Sequence, residues 1–252
     1  MLSLAIAGLA AAAASAAGYQ SMAPTGRWYG ETFSGLKRGS KQIALTYDDG
    51  PNDPYTLRLV EILAKHDVHA TFFFIGRYVQ QRPDVACDVA QAGHAIGNHT
   101  FTHPNLIFSS SIQARTQMQD CERALQDAVG EHSALFRPPF GGRRPSSLRV
   151  ARSLGLDTVM WNVTGWDWKL GTADYIERKI TRQMRGGDVI LLHDGSHEGM
   201  GVDRSQTVIV TDRLIRRYKD EGYQFVSVPE MMERQPSVSS RQSSDGNSVV
   251  GR

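Results

Sequence analysis

The chain has 252 residues, of which 40% are hydrophobic, and this is enough to bury one sizeable core. Its 28 basic and 26 acidic residues leave a formal net charge of +2, without a long run of Lys or Arg. This balance argues against nucleic acids and anionic membrane surfaces as partners.

The two ends of the chain differ in composition from its middle. Residues 1–18 are apolar and rich in Ala, with small residues at positions 14–17 that resemble a signal-peptide cleavage site. The first basic residue is Arg27, so the positive start of a secretory signal is missing. An uncleaved anchor, or an Ala-rich helix packed on the domain, are the alternatives. We expect an extracytoplasmic protein, secreted or anchored at its N-terminus. Residues 233–252 are polar and rich in Ser, which predicts a disordered tail.

From Lys41 onward, apolar strand-like runs alternate with amphipathic helices. Strands are predicted at residues 41–47, 69–75, 94–99, 134–137, 157–163, 188–193 and 223–228. Helices are predicted at residues 56–66, 83–93, 110–130, 145–155, 172–184 and 203–222. The alternation predicts one α/β domain over residues 41–232, preceded by an N-terminal extension at residues 19–40. Its predicted fold is a distorted (β/α) barrel with about seven parallel strands, in which active sites gather where the strands end.

Two cysteines, Cys87 and Cys121, fall in predicted helices. In an exported protein they could form a disulfide, but only if their Cα atoms lie within about 7 Å of each other. Two free thiols fit the sequence as well.

Metal-ligating residue types follow the first and third predicted strands. Asp48 and Asp49 precede a Gly-Pro turn, and His99 and His103 are spaced to lie on one side of a helical turn. Two His and the Asp49 carboxylate leave coordination positions open, which is typical of a catalytic metal. The alternatives are a plain turn and two ordinary loop histidines. Neighbours on a strand point to opposite sides, so we expect the Gly-Pro turn to splay the two carboxylates.

Three further stretches stand at or just beyond predicted strand ends. Arg137 begins RPPFGG, a rigid turn that either aims a backbone N–H at a reacting oxygen or is a plain loop. His193 ends an apolar strand beside these groups, and we interpret it as a proton donor rather than a buried core residue. The stretch WNVTGWDWKLG indicates a pocket wall or a sugar-stacking platform, although core packing fits the first Trp equally well. It contains Trp161, Trp166 and Trp168, with Asp167 between the last two.

In this order, TYDDGP, HTFTH, RPPFG, WDW and LLH resemble the five signature motifs of the polysaccharide deacetylases. This is carbohydrate esterase family four, the NodB-homology domain, and the resemblance covers about residues 41–232. It implies that Asp49, His99 and His103 bind one divalent metal ion, with zinc preferred over cobalt or nickel. It also implies that Asp48 is the general base and that Arg137 orients it.

The same resemblance implies the remaining roles. The backbone N–H of Phe140 holds the oxyanion, and His193, tuned by Asp167, is the general acid. Trp168 and Leu191 shape the pocket for the acetyl methyl group. The chain departs from the family where Thr164 replaces an Asp that is often present, and where Phe replaces the commoner Tyr in the third motif.

The sequence therefore predicts a monomeric, metal-dependent hydrolase that acts on carbon–nitrogen bonds in linear amides. Its expected partner is an acetylated glycan, namely an N-acetylglucosamine polymer such as a chitin-like oligosaccharide or peptidoglycan. The nearest alternative is an O-acetyl xylan esterase with the same machinery. A cyclic-amide hydrolase on the same fold is more distant, and a sugar-binding domain without turnover is the alternative from a different class.

Overall fold

A computed structural model of the chain describes residues 12–13, 15–169 and 171–234. Most of the signal-like segment at 1–18, and the predicted tail from residue 235 on, lie outside the described residues. Residues 15–22 are helical. Within the described ranges, no helix has both the length and the apolar character needed to cross a membrane.

The described strands form one sheet, in which every pairing between them is parallel. Their order is β5-β4-β3-β2-β1-β7-β6, and β8 pairs with the start of β1. The predicted α/β class and distorted barrel of about seven parallel strands are confirmed, with β8 as a short addition. The strands are β1 Gln42–Gly50, β2 Thr71–Phe74, β3 Ala95–Asn98, β4 Leu135–Phe136, β5 Asp157–Thr158, β6 Val163–Thr164, β7 Asp188–His193 and β8 Gln224–Phe225.

Helices connect the strands and pack on the outside of the curled sheet, where α1 and α6 both contact α7. Two short helices, α2 and α8, were not predicted because each spans only six residues, too few to give a helical period. After the helical residues 15–22, the α-helices are α1 Tyr55–Lys65, α2 Gly76–Gln81, α3 Pro83–Gln91, α4 Ser111–Val129, α5 Pro145–Ser153, α6 Ala173–Thr181, α7 Ser205–Asp220 and α8 Val228–Glu233.

The central strand β1 is buried on both faces, and its side chains alternate between two environments. Ile43, Leu45 and Tyr47 belong to the large core cluster beneath the helices. Ala44 belongs to a second cluster inside the barrel. Asp48 continues the interior series, so the alternation of the strand directs this carboxylate into the barrel.

The predicted strand at residues 157–163 is wrong in its middle, because it divides into β5 and β6. The backbone between them bonds to other groups: the carbonyls of Val159 and Met160 accept from the Arg137 side chain. The N-terminal extension covers the same region, where Phe33 bridges to Val159 and Gly35 to Asp188. The Arg137 side chain and the N-terminal extension thus bind the backbone of this part of the barrel, where β5 and β6 are interrupted.

Both cysteines are free thiols, with Cys121 buried on α4 and Cys87 partly exposed on α3. Burial raises the pKa of the Cys121 thiol, so this group is an inert part of the core.

Candidate active site

Both carboxylates at the end of β1 face one cavity because the strand carries a β-bulge at Asp49. Against β2, Asp48 pairs with Phe73 and Gly50 with Phe74, which leaves Asp49 as the extra residue. Its φ of 76° lies in the left-handed region and turns its side chain to the side of its neighbour. The expected splay is therefore produced within the strand, one residue before the Gly-Pro turn.

Asp49, His99 and His103 form a buried cluster whose potential ligand atoms all lie within 4.8 Å of one another. Oδ1 of Asp49 lies 3.5 Å from Nε2 of His99 and 3.1 Å from Nε2 of His103. Nδ1 of His99 lies 2.7 Å from the backbone carbonyl of Arg137. Since a carbonyl only accepts, Nδ1 carries a proton, which leaves Nε2 as the ring nitrogen that can bind a metal ion.

The chemistry of this cluster fits a divalent cation. Among the described residues, the buried atoms Asp49 Oδ1 and His103 Nδ1 have no hydrogen-bond partner. Burial raises the pKa of Asp49, but the imidazoles of His103 and His99 outweigh it and hold that pKa well below its usual range. Burial also lowers the pKa of His103 to about 4. An anionic carboxylate and neutral imidazoles are the forms that bind zinc.

Asp48 is held by Arg137, which directly follows β4 and is fully buried. Nη1 of Arg137 donates to Asp48 Oδ1 and to Thr46 Oγ1, each at 2.7 Å. Its Nε and Nη2 donate to the carbonyls of Val159 and Met160 at 3.3 and 3.1 Å. The other oxygen of Asp48 lies 3.7 Å from the nearest imidazole nitrogen of the ligand cluster. One oxygen of Asp48 is thus fixed and the other faces the cluster.

A second charged pair stands at the end of β7. Nδ1 of His193 lies 2.9 Å from Asp167 Oδ1, and the backbone N–H of His193 donates to Oδ2 at 2.8 Å. Thr207 donates to the same Oδ2 at 2.9 Å, and Arg204 donates to the Asp167 carbonyl. Burial lowers the pKa of His193, but the charge and hydrogen bond of Asp167 outweigh it and raise that pKa above its ordinary value. Because Nδ1 of His193 binds Asp167, Nε2 is the ring nitrogen that can contact a substrate in the cavity, which His193 lines.

Close packing under the cavity explains two glycines near the motifs. A Cβ on Gly50 would lie 2.0 Å from Asp194 Oδ2, and one on Gly195 would lie 2.1 Å from the Asp49 carbonyl. Asp194 is fully buried and accepts a hydrogen bond from Thr56. Burial raises the pKa of Asp194 to about 7.

Phe140 lies in a tight turn, with a left-handed φ of 58°. The buried Arg143 ties this turn to the N-terminal extension, because it donates to the carbonyls of Gly141, Ala23 and Gly26 at 3.1, 2.6 and 2.8 Å. Left-handed backbone is frequent on this face of the barrel. Five non-glycine residues here have a φ between 56° and 76°: Asp49, Thr100, His103, Phe140 and Trp166.

One cavity of about 390 Å³ brings most of the predicted site residues together. Arg137 and Asp167 stand behind it and contact residues of its wall. Trp166 does not line the cavity, because its ring faces the ammonium groups of Lys169 and Lys179. The predicted residues that line it are Asp48, Asp49, His99, His103, Phe140, Trp161, Trp168, Leu191 and His193.

The loop after β7 adds wall residues that no sequence motif indicated, among them His197 and Glu198. The ring of His197 stacks on that of His103, with centroids 4.7 Å apart and planes inclined by 22°. The only sequence signal for these residues is their position after a strand that ends in a candidate catalytic His.

Comparison with known proteins relates the chain to one family of enzymes. A family model described as "Polysaccharide deacetylase" matches residues 35–159. A peptidoglycan-N-acetylglucosamine deacetylase of Bacillus cereus is 35% identical over 202 residues, which are 78% of this chain and 91% of that protein. A chitooligosaccharide deacetylase of Sinorhizobium fredii is 36% identical over 76% of this chain and 92% of its own length.

Solved structures share the fold. The crystal structure of the Bc1960 peptidoglycan N-acetylglucosamine deacetylase, in complex with 4-naphthalen-1-yl-N-oxidanyl-benzamide, superposes with a TM-score of 0.74. It is 33% identical to this chain, and the match covers 79% of this chain and 91% of that one.

Proposed function

The chain belongs to the polysaccharide deacetylase family, and we propose that it removes N-acetyl groups from an N-acetylglucosamine polymer, peptidoglycan or a chitin-like oligosaccharide. One observation carries this proposal. A ligand cluster of Asp49, His99 and His103, a carboxylate bound by a buried Arg, and a His–Asp pair share one cavity. This combination of a cation site, a base and an acid is suited to the hydrolysis of an amide by water.

Asp49, His99 and His103 would hold the metal ion, and their donor set favours zinc. When bound, a divalent cation would polarise the acetyl carbonyl and acidify the attacking water. The lone pair of His99 Nε2 is available because Nδ1 is committed to the Arg137 carbonyl.

Asp48 is the proposed general base. Its Oδ1 is bound to Arg137, so Oδ2, which faces the ligand cluster, accepts the proton of the attacking water. As the water oxygen bonds to the acetyl carbon, the carbonyl oxygen gains negative charge. A fixed N–H donor stabilises such an oxyanion, and we assign this part to the backbone of Phe140.

His193 is the proposed general acid. The C–N bond breaks when the amine nitrogen receives a proton, because an unprotonated amine is a poor leaving group. Asp167 binds Nδ1 of His193 and raises the pKa of that ring, so Nε2 carries the proton that the nitrogen takes. The products are acetate and the free amine of the sugar.

The acetyl methyl group needs an apolar recess beside these groups. Leu191, only 3% exposed, and Trp168, whose ring lies 5.2 Å from that of His193, provide such a surface. Trp168 is 45% exposed and can also contact the sugar ring.

Because a glycan of this kind lies outside the cytoplasm, we further propose that the protein is exported and acts there as a monomer.

Acetate release tests the proposal. The purified chain is offered chitin oligomers, peptidoglycan and acetylated xylan, each with zinc and with a chelator. We expect zinc-dependent release from an N-acetylglucosamine polymer, and none in the chelator. If acetate is released from xylan alone, the protein is an O-acetyl esterase and the proposed N-deacetylase activity is wrong. If the protein binds no metal and stays inactive with zinc, the proposal that it is an enzyme is refuted. Fractionation of the host tests export, which a full-length cytoplasmic pool would contradict.

A further inference from the structure

We propose that His197 is a positioning residue, which holds the imidazole of His103 in its metal-binding orientation by ring stacking. The inference rests on the proposed metal site. It assigns a role to the loop between β7 and α7, which lies outside the five motifs.

The two candidate His ligands are supported in different ways. A ligating His normally donates its second ring N–H to a fixed acceptor, which sets the orientation of the ring. His99 has such an acceptor in the Arg137 carbonyl, at 2.7 Å. The corresponding nitrogen of His103, Nδ1, is buried and has no hydrogen-bond partner among the described residues. Other contacts must therefore fix the His103 ring.

Ring contacts surround His103. His99 and Phe140 meet it edge to face, with centroids 4.9 and 4.6 Å away. His197 is the nearly parallel neighbour, at 4.7 Å and 22°. A parallel ring covers one face of the imidazole and opposes rotation about χ2, since rotation would drive the edge of the imidazole into that face.

The loop holds His197 in place through its backbone. Arg77 donates to the carbonyl of His197 at 2.6 Å, and the Tyr78 hydroxyl donates to the Ser196 carbonyl at 3.1 Å. Asn52 binds both ends of the loop, at the carbonyls of residues 194 and 202. These bonds involve only the backbone of the loop, so the side chain of His197 can be changed without releasing the loop.

Two substitutions separate stacking from any role of the His197 nitrogens. His197→Phe keeps a flat ring over His103 but removes both nitrogens, and His197→Ala removes the ring. Met200→Ala is the matched control, because Met200 lies in the same loop, is 37% exposed and does not line the cavity. The measurement is the Kd for Zn²⁺ of chelator-stripped protein, by competition with a fluorescent chelator. Thermal unfolding without metal checks that each variant is folded.

An aromatic contact of this kind changes an equilibrium constant by about 2- to 12-fold. We therefore expect His197→Ala to weaken zinc binding by about 3- to 10-fold, and His197→Phe and Met200→Ala to stay within about 2-fold of the wild type. Excess zinc should then restore acetate release by His197→Ala, because the defect lies in metal affinity.

Three results would overturn the inference while leaving the proposed function intact. They are wild-type affinity in His197→Ala, a loss in His197→Phe as large as in His197→Ala, and an equal loss in Met200→Ala. The second result would point to a nitrogen of His197 as a ligand or donor. A wild-type protein that binds no zinc would instead refute the metal site of the proposed function, and the role of His197 with it.

Discussion

Asp48 and Asp49 are adjacent and both buried, yet their replacement by Asn should have different consequences. Asp48→Asn removes the proposed base and leaves the cluster of Asp49, His99 and His103 complete. It should therefore retain zinc and lose turnover. Asp49→Asn replaces an anionic ligand with a neutral amide, so zinc binding should weaken, and excess zinc should restore part of the activity.

The structure sets the size of each effect. General base catalysis contributes about 10²- to 10⁴-fold, so kcat of Asp48→Asn should fall within that range. Asp48 also lies 2.7 Å from the buried guanidinium of Arg137, and breaking a buried ion pair costs about 3–5 kcal/mol. The free energy of unfolding should fall by that amount. Loss of a hydrogen bond that supports a metal ligand lowers metal affinity by about 10- to 100-fold. Asp49→Asn changes the ligand itself, so its zinc affinity should fall by at least this factor.

The assay combines zinc titration, acetate release over a range of zinc concentrations, and urea unfolding of both purified variants. Glu198→Gln is a matched carboxylate-to-amide control in the wall of the same cavity, outside the ligand cluster. It should keep zinc affinity, and it should not share the loss of stability.

Three outcomes would each refute a part of this reasoning. If both variants bind zinc equally and lose activity equally, the division of roles between the two carboxylates is wrong. If Asp48→Asn remains active, the assignment of the base fails. A stability of Asp48→Asn equal to that of the wild type would show that the Arg137 pair is not the buried ion pair described above.

Three further predictions concern groups around the site. His193 must be protonated to act as the acid, so activity should fall as pH rises through its raised pKa. Asp167→Asn should lower this pKa, and the alkaline limb of the kcat–pH profile should then move to lower pH. The pKa of Asp194 is about 7, above its unfolded value, so its ionisation destabilises the fold increasingly as pH rises from about 4 to 7. Asp194→Asn should then be more stable than the wild type at pH 8, by as much as about 4 kcal/mol, with no gain at pH 4, in urea unfolding of metal-free protein. Arg143→Met removes the Arg143 donor from three backbone carbonyls, of which that of Ala23 keeps the N–H of Gly26, and should lower the free energy of unfolding by about 3 kcal/mol. We also expect kcat to fall, because the turn of Phe140 loosens.

Sequence patterns were sufficient to predict the barrel fold and the face of the barrel that carries the site. The strand ending at His193 is predicted with its observed bounds, because an apolar run of four residues, flanked by Asp188 and His193, leaves little choice. The strand ends also place Asp49, His99 and His103 at one edge of a parallel sheet, where they lie within 4.8 Å of one another.

Features that depend on tertiary partners were not predictable. The bulge at Asp49 requires a left-handed Asp, and no local pattern distinguishes it from the turn that follows. The break between β5 and β6 lies where Arg137, 22 and 23 residues earlier in the chain, donates to the carbonyls of Val159 and Met160. His197 lies in a loop whose path is set by Asn52 and by residues of α2, far away in sequence. Trp166, expected at the cavity, instead contacts the ammonium groups of Lys169 and of Lys179, which lies on α6.

The left-handed residues of the catalytic face imply a trade-off between activity and robustness. A non-glycine residue in this conformation costs about 1 kcal/mol, so the five together cost about 5 kcal/mol in a domain whose net stability is typically about 5–15 kcal/mol. The rest of the barrel must supply that energy. A thermostable version is therefore best sought among the outer helices, whereas relaxing the catalytic face would gain stability at the expense of turnover. Phe140→Gly would release strain and keep the backbone N–H, but it would also remove the ring that contacts His103.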